Sequence, residues 1–264
     1  MTACGRIVVT AGPTISAADI RSVVPDAEVA PPIAFGQALS YDLRSGDTLL
    51  IVDGLFFQQP SVRHKELLTL MADGVRVVGS SSMGALRAAE LHPFGMEGYG
   101  WVFESYRDGV LEADDEVGVV HGDADDGYPV FVDALVNMRH TLARAVATGV
   151  VCSELAERII ETARATPFTM RTWARLLSEV GAPDQRGLAA QLRSLRVDVK
   201  HAMRCWRCGS SASAPGWSRF VRVRRPPCGR GGGGSDGHRP PPSPHRPTTA
   251  SLLSTSPTWR SCRF

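Results

Sequence analysis

The stretch Val75–Leu91, VRVVGSSSMGALRAAEL, places three consecutive hydroxyls, Ser80, Ser81 and Ser82, between a β-branched run and an alanine-rich helical pattern. Serine is a favoured helix N-cap worth about 1 kcal/mol, so one of the three is expected to serve structure alone. The same turn is also chemically useful. The first N–H groups of a helix opening at Met83 and Gly84 lack intrahelical partners and carry the positive end of the helix dipole, which suits an anion or a developing oxyanion. A hydroxyl held there resembles the strand–Ser–helix nucleophile elbow; centred on Ser82, the elbow's first glycine is replaced by Ser80. Ser82 is thus the candidate nucleophile, and Ser80, Ser81, Met83 and Gly84 the candidate anion-binding turn.

Other side chains are expected near the same edge. Asp53 closes the apolar run DTLLIVDG, and Thr14 follows Gly12-Pro13 after RIVVTAG. His64 stands three and four residues before Leu67 and Leu68 in a helical pattern, a spacing that leans it toward the buried face. It is the candidate base, with Asp53 to orient it; a turn-closing role for Asp53 is the structural alternative. Arg87 and Glu90, three apart, read as a helix-surface pair. No metal is expected. Asp114, Asp115 and Glu116 read as solvated loop carboxylates, DADDG lacks the later ligands of a calcium loop, and Cys205-Trp-Arg-Cys208 lacks a second zinc-binding pair. No glycine-rich phosphate loop is seen, and no cofactor is expected.

The elements that would position these residues alternate. Short apolar runs at 6–12, within AEVAPP, at 47–54 and at VRVVGSSS are interleaved with helical patterns at 15–24, 35–46, 60–74 and from Met83. Such alternation predicts βαβ units: a small α/β, Rossmann-like or flavodoxin-like parallel sheet with flanking helices, and every strand-to-helix turn on its carboxyl edge. Helical patterns then follow at 95–109, 128–149, 153–167, 169–181 and 184–195, with an acidic connection, EADDEVGVVHGDADDG, between the first two. The expected organisation is an α/β part over 1–94, a helical part over 95–200 packed on it as one domain, and a distinct tail.

That tail, 201–264, is rich in Arg, Pro, Gly and Ser and too poor in apolar periodicity to fold alone. Two readings fit it: a disordered segment, or a GC-rich coding sequence read in the wrong frame. Eleven of the 29 basic residues and one of the 27 acids lie in it, leaving residues 1–200 acidic, with 18 basic against 26 acidic side chains. A surface specific for nucleic acid is therefore not expected. Two cysteines before residue 200, no signal-peptide pattern and no run long enough to span a bilayer point to a cytoplasmic protein without membrane attachment.

GPT after the first strand, IVDGLF, HKELL, GSSSMGALRAAEL, GMEGYG, YRDG and DDEV appear in the order and spacing of TfuA-like proteins, a resemblance covering about residues 6–200. It implies a role beside YcaO enzymes, which use ATP to activate a peptide amide oxygen that a sulfur nucleophile then replaces, as in peptide natural product biosynthesis. The TfuA-like partner is expected to supply that sulfur by hydrolysing the C-terminal thiocarboxylate of a small ubiquitin-like sulfur carrier protein. Ser82 would attack the acyl carbon or His64 would activate water, and Lys65 would hold the thiocarboxylate by charge. The alternatives are a non-catalytic docking subunit and a phosphate or nucleotide pocket at the same edge.

Overall fold

The computed structural model describes residues 5–57 and 59–200; the tail from 201 lies outside the described residues. Five strands, β1 (Ile7–Thr10), β2 (Glu28–Ala30), β3 (Thr48–Ile51), β4 (Arg76–Ser80) and β5 (Glu97–Tyr99), form one parallel sheet in the order β2-β1-β3-β4-β5. This is the doubly wound α/β arrangement expected, with the flavodoxin-like strand order. The strands read as continuous apolar runs because both faces are covered. Val8, Leu49, Ile51 and Val77 pack with Leu67 of α3 (His64–Ala72) and Ala85 of α4 (Met83–Leu91). Their neighbours Val9, Leu50, Val52 and Val78 pack with Ile20 of α1 (Ala17–Val23).

Several elements differ from the sequence pattern. The helix expected over 35–46 is a single turn, α2 (Gln37–Ser40). Asp42 takes a positive φ of 49°, and the Asp47 carboxylate accepts from the N–H groups of Arg44 and Arg6 at 2.9 and 2.7 Å, so the segment closes as a turn onto the sheet. The sheet also continues past residue 94. The pattern at 95–109 divides into β5 and α5 (Trp101–Arg107) at Gly100, whose φ of 93° breaks the chain direction. Gly98 lies flat against Phe103, and a Cβ there would come within 2.5 Å of the ring. Within the acidic connection and the segment after it, β6 (Val120–His121) pairs antiparallel with β7 (Val130–Val132), with a register irregularity at Val120/His121.

The helical half is α6 (Leu135–Ala147), α7 (Ser153–Ala165), α8 (Trp173–Glu179) and α9 (Gln185–Ser194), closed around Leu142, Ile159, Leu176 and Leu192. Its attachment to the rest uses buried arginine. Arg171, 2% exposed, donates from Nε to the Ala163 and Thr166 carbonyls at 2.7 and 2.9 Å and reaches the Asp115 carboxylate at 2.6 Å. Arg139 grips Glu116 through two bonds of 3.0 and 2.6 Å. Two of the three carboxylates of DDEV are thus not left to solvent: Asp115 and Glu116 are clamps that fix the loop leading to β6, while Asp114 stays exposed as expected. The forked Arg139–Glu116 pair gives the joint direction as well as strength.

Candidate functional site

The carboxyl edge of the sheet opens into a cavity of about 660 Å³. It lies where the strand order reverses between β1 and β3, the place at which open α/β sheets bind ligands. The loop after β3 forms one wall and the β6–β7 hairpin the facing one; Asp53, Ser82, Met83, His121, Asp123 and Tyr128 are among the lining residues.

Asp53 ties the two central loops together. Its Oδ2 accepts from the N–H groups of Gly12 and Thr14 at 2.9 and 3.0 Å, and its Oδ1 from the Thr14 hydroxyl at 2.6 Å. Three donors thus satisfy the buried carboxylate. Its partner is Thr14, not His64. The structure therefore joins two of the expected residues, Asp53 and Thr14, as one bracket across the switch point.

The serine turn is strained. Ser81 has a φ of 68°, and the Ser82 N–H donates to the Ser80 carbonyl at 2.9 Å, which together make a γ-turn centred on Ser81. Ser80 donates to the Tyr99 carbonyl at 3.0 Å and shares a 3.2 Å hydrogen bond with Ser81, so these two hydroxyls are used within the turn. Ser82 occupies the N-cap position of α4 without capping it. Its hydroxyl makes no hydrogen bond with the described residues, and the residue lines the cavity. Gly84 donates to the Val52 carbonyl at 3.2 Å, so that amide docks the helix on β3 and is not open to a ligand. The N–H groups of Met83 and of the adjacent Gly54 take no partner among the described residues.

His64 is placed elsewhere. Its Nε2 lies 2.8 Å from the Glu90 carboxylate, which also receives Arg87 at 2.6 Å, and its side chain is about half exposed (45%). Helix α3 begins at His64, with Glu66, Leu67 and Leu70 as its buried residues. The imidazole therefore sits at the helix tip and turns to the α4 surface. Neither His64 nor the exposed Lys65 lines the cavity. Arg87 is more than a surface partner: buried, it also donates to the Val62 carbonyl and Ser61 hydroxyl, at 3.1 and 2.8 Å.

Two residues at the cavity were not singled out from sequence. His121 lines it from β6, with Nδ1 2.8 Å from the Gly122 carbonyl and its ring edge-on to Tyr128 at 5.5 Å. Lys200 is fully buried behind the wall, donating from Nζ to the carbonyl of cavity-lining Val117 at 3.0 Å. Burial pushes the Lys200 ammonium below the ordinary lysine range, while the Asp53 carboxylate pulls against that shift. Burial, with the negative charges of Asp53 and Asp123, raises the Tyr128 phenol. A lone histidine among glycines and aspartates carries little weight in sequence, although the valines before it and YPVFV after it hold the alternation of a hairpin. Among the described residues no group of three or more His, Cys, Asp or Glu side chains is arranged to hold a metal ion.

Comparison with known proteins finds one family resemblance: residues 53–172 match the family described as TfuA-like protein. The TfuA-like segment opens at Asp53 and includes the serine turn, the hairpin and Arg171. That family is associated with YcaO systems and thereby with thioamidation. No curated protein matches the chain. No helix among the described residues is long and apolar enough to cross a membrane.

Proposed function

We propose that the chain is a hydrolase that releases sulfide from the thiocarboxylate of a small ubiquitin-like sulfur carrier, supplying sulfur to a YcaO enzyme for peptide thioamidation. The observation that carries this reading is the Ser82 hydroxyl, unbonded, lining the cavity and held directly after the strained Ser81 turn. Ser82 adds to the acyl carbon, and the Met83 and Gly54 N–H groups, lacking internal partners, are suited to the oxyanion that forms. In elbow-type sites one donor is the amide after the nucleophile, which here is Met83. Exposed Phe57 and Phe131, 77% and 66% accessible, offer apolar footing for a macromolecular substrate. The family association supports the sulfur-transfer setting.

The test is sulfide release from thiocarboxylated carrier by the full chain without a YcaO enzyme. Ser82→Ala is expected to lower the rate by about 10³-fold or more, as when a nucleophile is deleted. A wild-type chain that releases no sulfide while still binding carrier or YcaO enzyme would establish a docking subunit instead. Unimpaired release by Ser82→Ala would remove the nucleophile assignment.

A further inference from the structure

We infer that His121, on the β6–β7 hairpin, is the general base of this site, a role that rests on the hydrolase reading above. A nucleophilic serine needs a group that takes its proton near neutral pH, and imidazole is the side chain suited to that. The other candidates are committed. Both Asp53 oxygens are taken by Gly12 and Thr14, and His64 is bound to Glu90 away from the cavity. Asp114 and Asp123 line the cavity but are exposed, and no hydrogen bond among the described residues orients either carboxylate.

His121 has what those residues lack. A carbonyl oxygen can only accept, so the 2.8 Å contact between Nδ1 and the Gly122 oxygen places the hydrogen on Nδ1. In the neutral ring, Nε2 then keeps its lone pair. This is the task an aspartate performs in a serine triad, here done by a main-chain carbonyl. Gly122 is itself fixed, donating to the Pro129 carbonyl at 2.9 Å, and the Tyr128 ring abuts the imidazole. The ladder irregularity falls at Val120/His121, and such bulges re-aim side chains beside functional sites.

The reaction closes in two halves. Nε2 takes the Ser82 proton as Oγ bonds to the acyl carbon; the C–S bond then breaks, sulfur leaves with the proton from the imidazolium, and an acyl-serine remains. Water gives a proton to the same Nε2, its oxygen bonds to the acyl carbon, and the C–O bond to Ser82 breaks with return of the proton to Oγ. The sum is thiocarboxylate plus water to carboxylate plus hydrogen sulfide, with no oxidant or reductant.

The experiment uses the full chain and thiocarboxylated carrier. His121→Ala is expected to lower sulfide release about 10²–10⁴-fold, the range for loss of a general base. Added imidazole is expected to restore the rate at least about tenfold, since it replaces the missing base; a purely structural histidine would not respond. His121→Gln, which keeps polarity and bulk, should stay as inactive as alanine while melting like wild type. Loss of Ser82 labelling by a fluorophosphonate in folded His121→Gln gives a second readout independent of turnover. Wild-type release with undiminished activity in both variants overturns His121 alone, as does activity lost in His64→Ala but kept in His121→Ala. A wild-type chain that releases no sulfide overturns the reaction and this role together.

Discussion

Gly84→Ala tests whether the serine turn depends on the close approach of α4 to β3. A Cβ at residue 84 would lie 2.6 Å from the Ile51 carbonyl carbon and nearer still to its oxygen. Both obstacles are backbone within the central strand, so no side chain can rotate away, and the start of α4 must lift from the sheet. Relief would stretch the 3.2 Å hydrogen bond from Gly84 to Val52 and displace Ser82 and Met83 with it. Overpacking in a core costs about 1–3 kcal/mol, and a backbone obstacle belongs at the upper end. With a shift of about 2–4 °C per kcal/mol for a domain of this size, the melting temperature should fall by about 6–12 °C. Gly181→Ala is the comparison: its φ is 63° but nothing lies within 4 Å, so only left-handed backbone strain of about 1–2 kcal/mol is added. Thermal melts of the full chain followed by circular dichroism measure both. A Gly84→Ala melt within about 2 °C of wild type would refute the claim that direct helix–strand contact sets the turn.

Two further outcomes follow from buried charge. Lys200 titrates lower in the folded chain than in the unfolded one, so between the folded value and about 10.5 the unfolded chain binds more protons, and stability rises with pH across that window. Lys200→Met should therefore be more stable than wild type at neutral pH, with the gap in urea midpoint narrowing as pH approaches about 10; a gap unchanged by pH would contradict this. Asp53→Asn replaces a carboxylate that receives three hydrogen bonds by an amide that cannot accept at both positions. A loss of about 2–3 kcal/mol is expected from chemical denaturation, and a smaller loss would mean that the Gly12–Thr14 loop does not rely on Asp53.

The sheet was legible because β1, β3 and β4 are apolar on both faces, and the serine turn because a strand, three hydroxyls and an alanine-rich helix are contiguous. β5 was not, since Glu97-Gly98-Tyr99 has no apolar run; its place depends on Gly98 lying under Phe103 and on pairing with β4. The hairpin was hidden for a similar reason, two short strands separated by a polar loop of glycine and aspartate. His64 had the spacing of an inward residue, but the helix starts at that residue and Glu90 offers it a partner outside. Lys200 and Arg171 were not singled out from sequence; their burial draws on partners more than 50 residues away, Val117 for Lys200 and Asp115 for Arg171.

The two sides of the cleft differ mechanically. One jaw is cast in place: a Cβ on Gly79 would meet Ala88 at 2.9 Å and one on Gly84 would strike Ile51, so α4 has no slack against the strands beneath it. The opposing jaw is a ribbon of two- and three-residue strands whose tip carries exposed Asp123, Asp125 and Asp126. Side-chain changes at that exposed tip therefore meet no packing obstacle, while the hydroxyl-bearing side leaves no room for an added atom at Gly79 or Gly84.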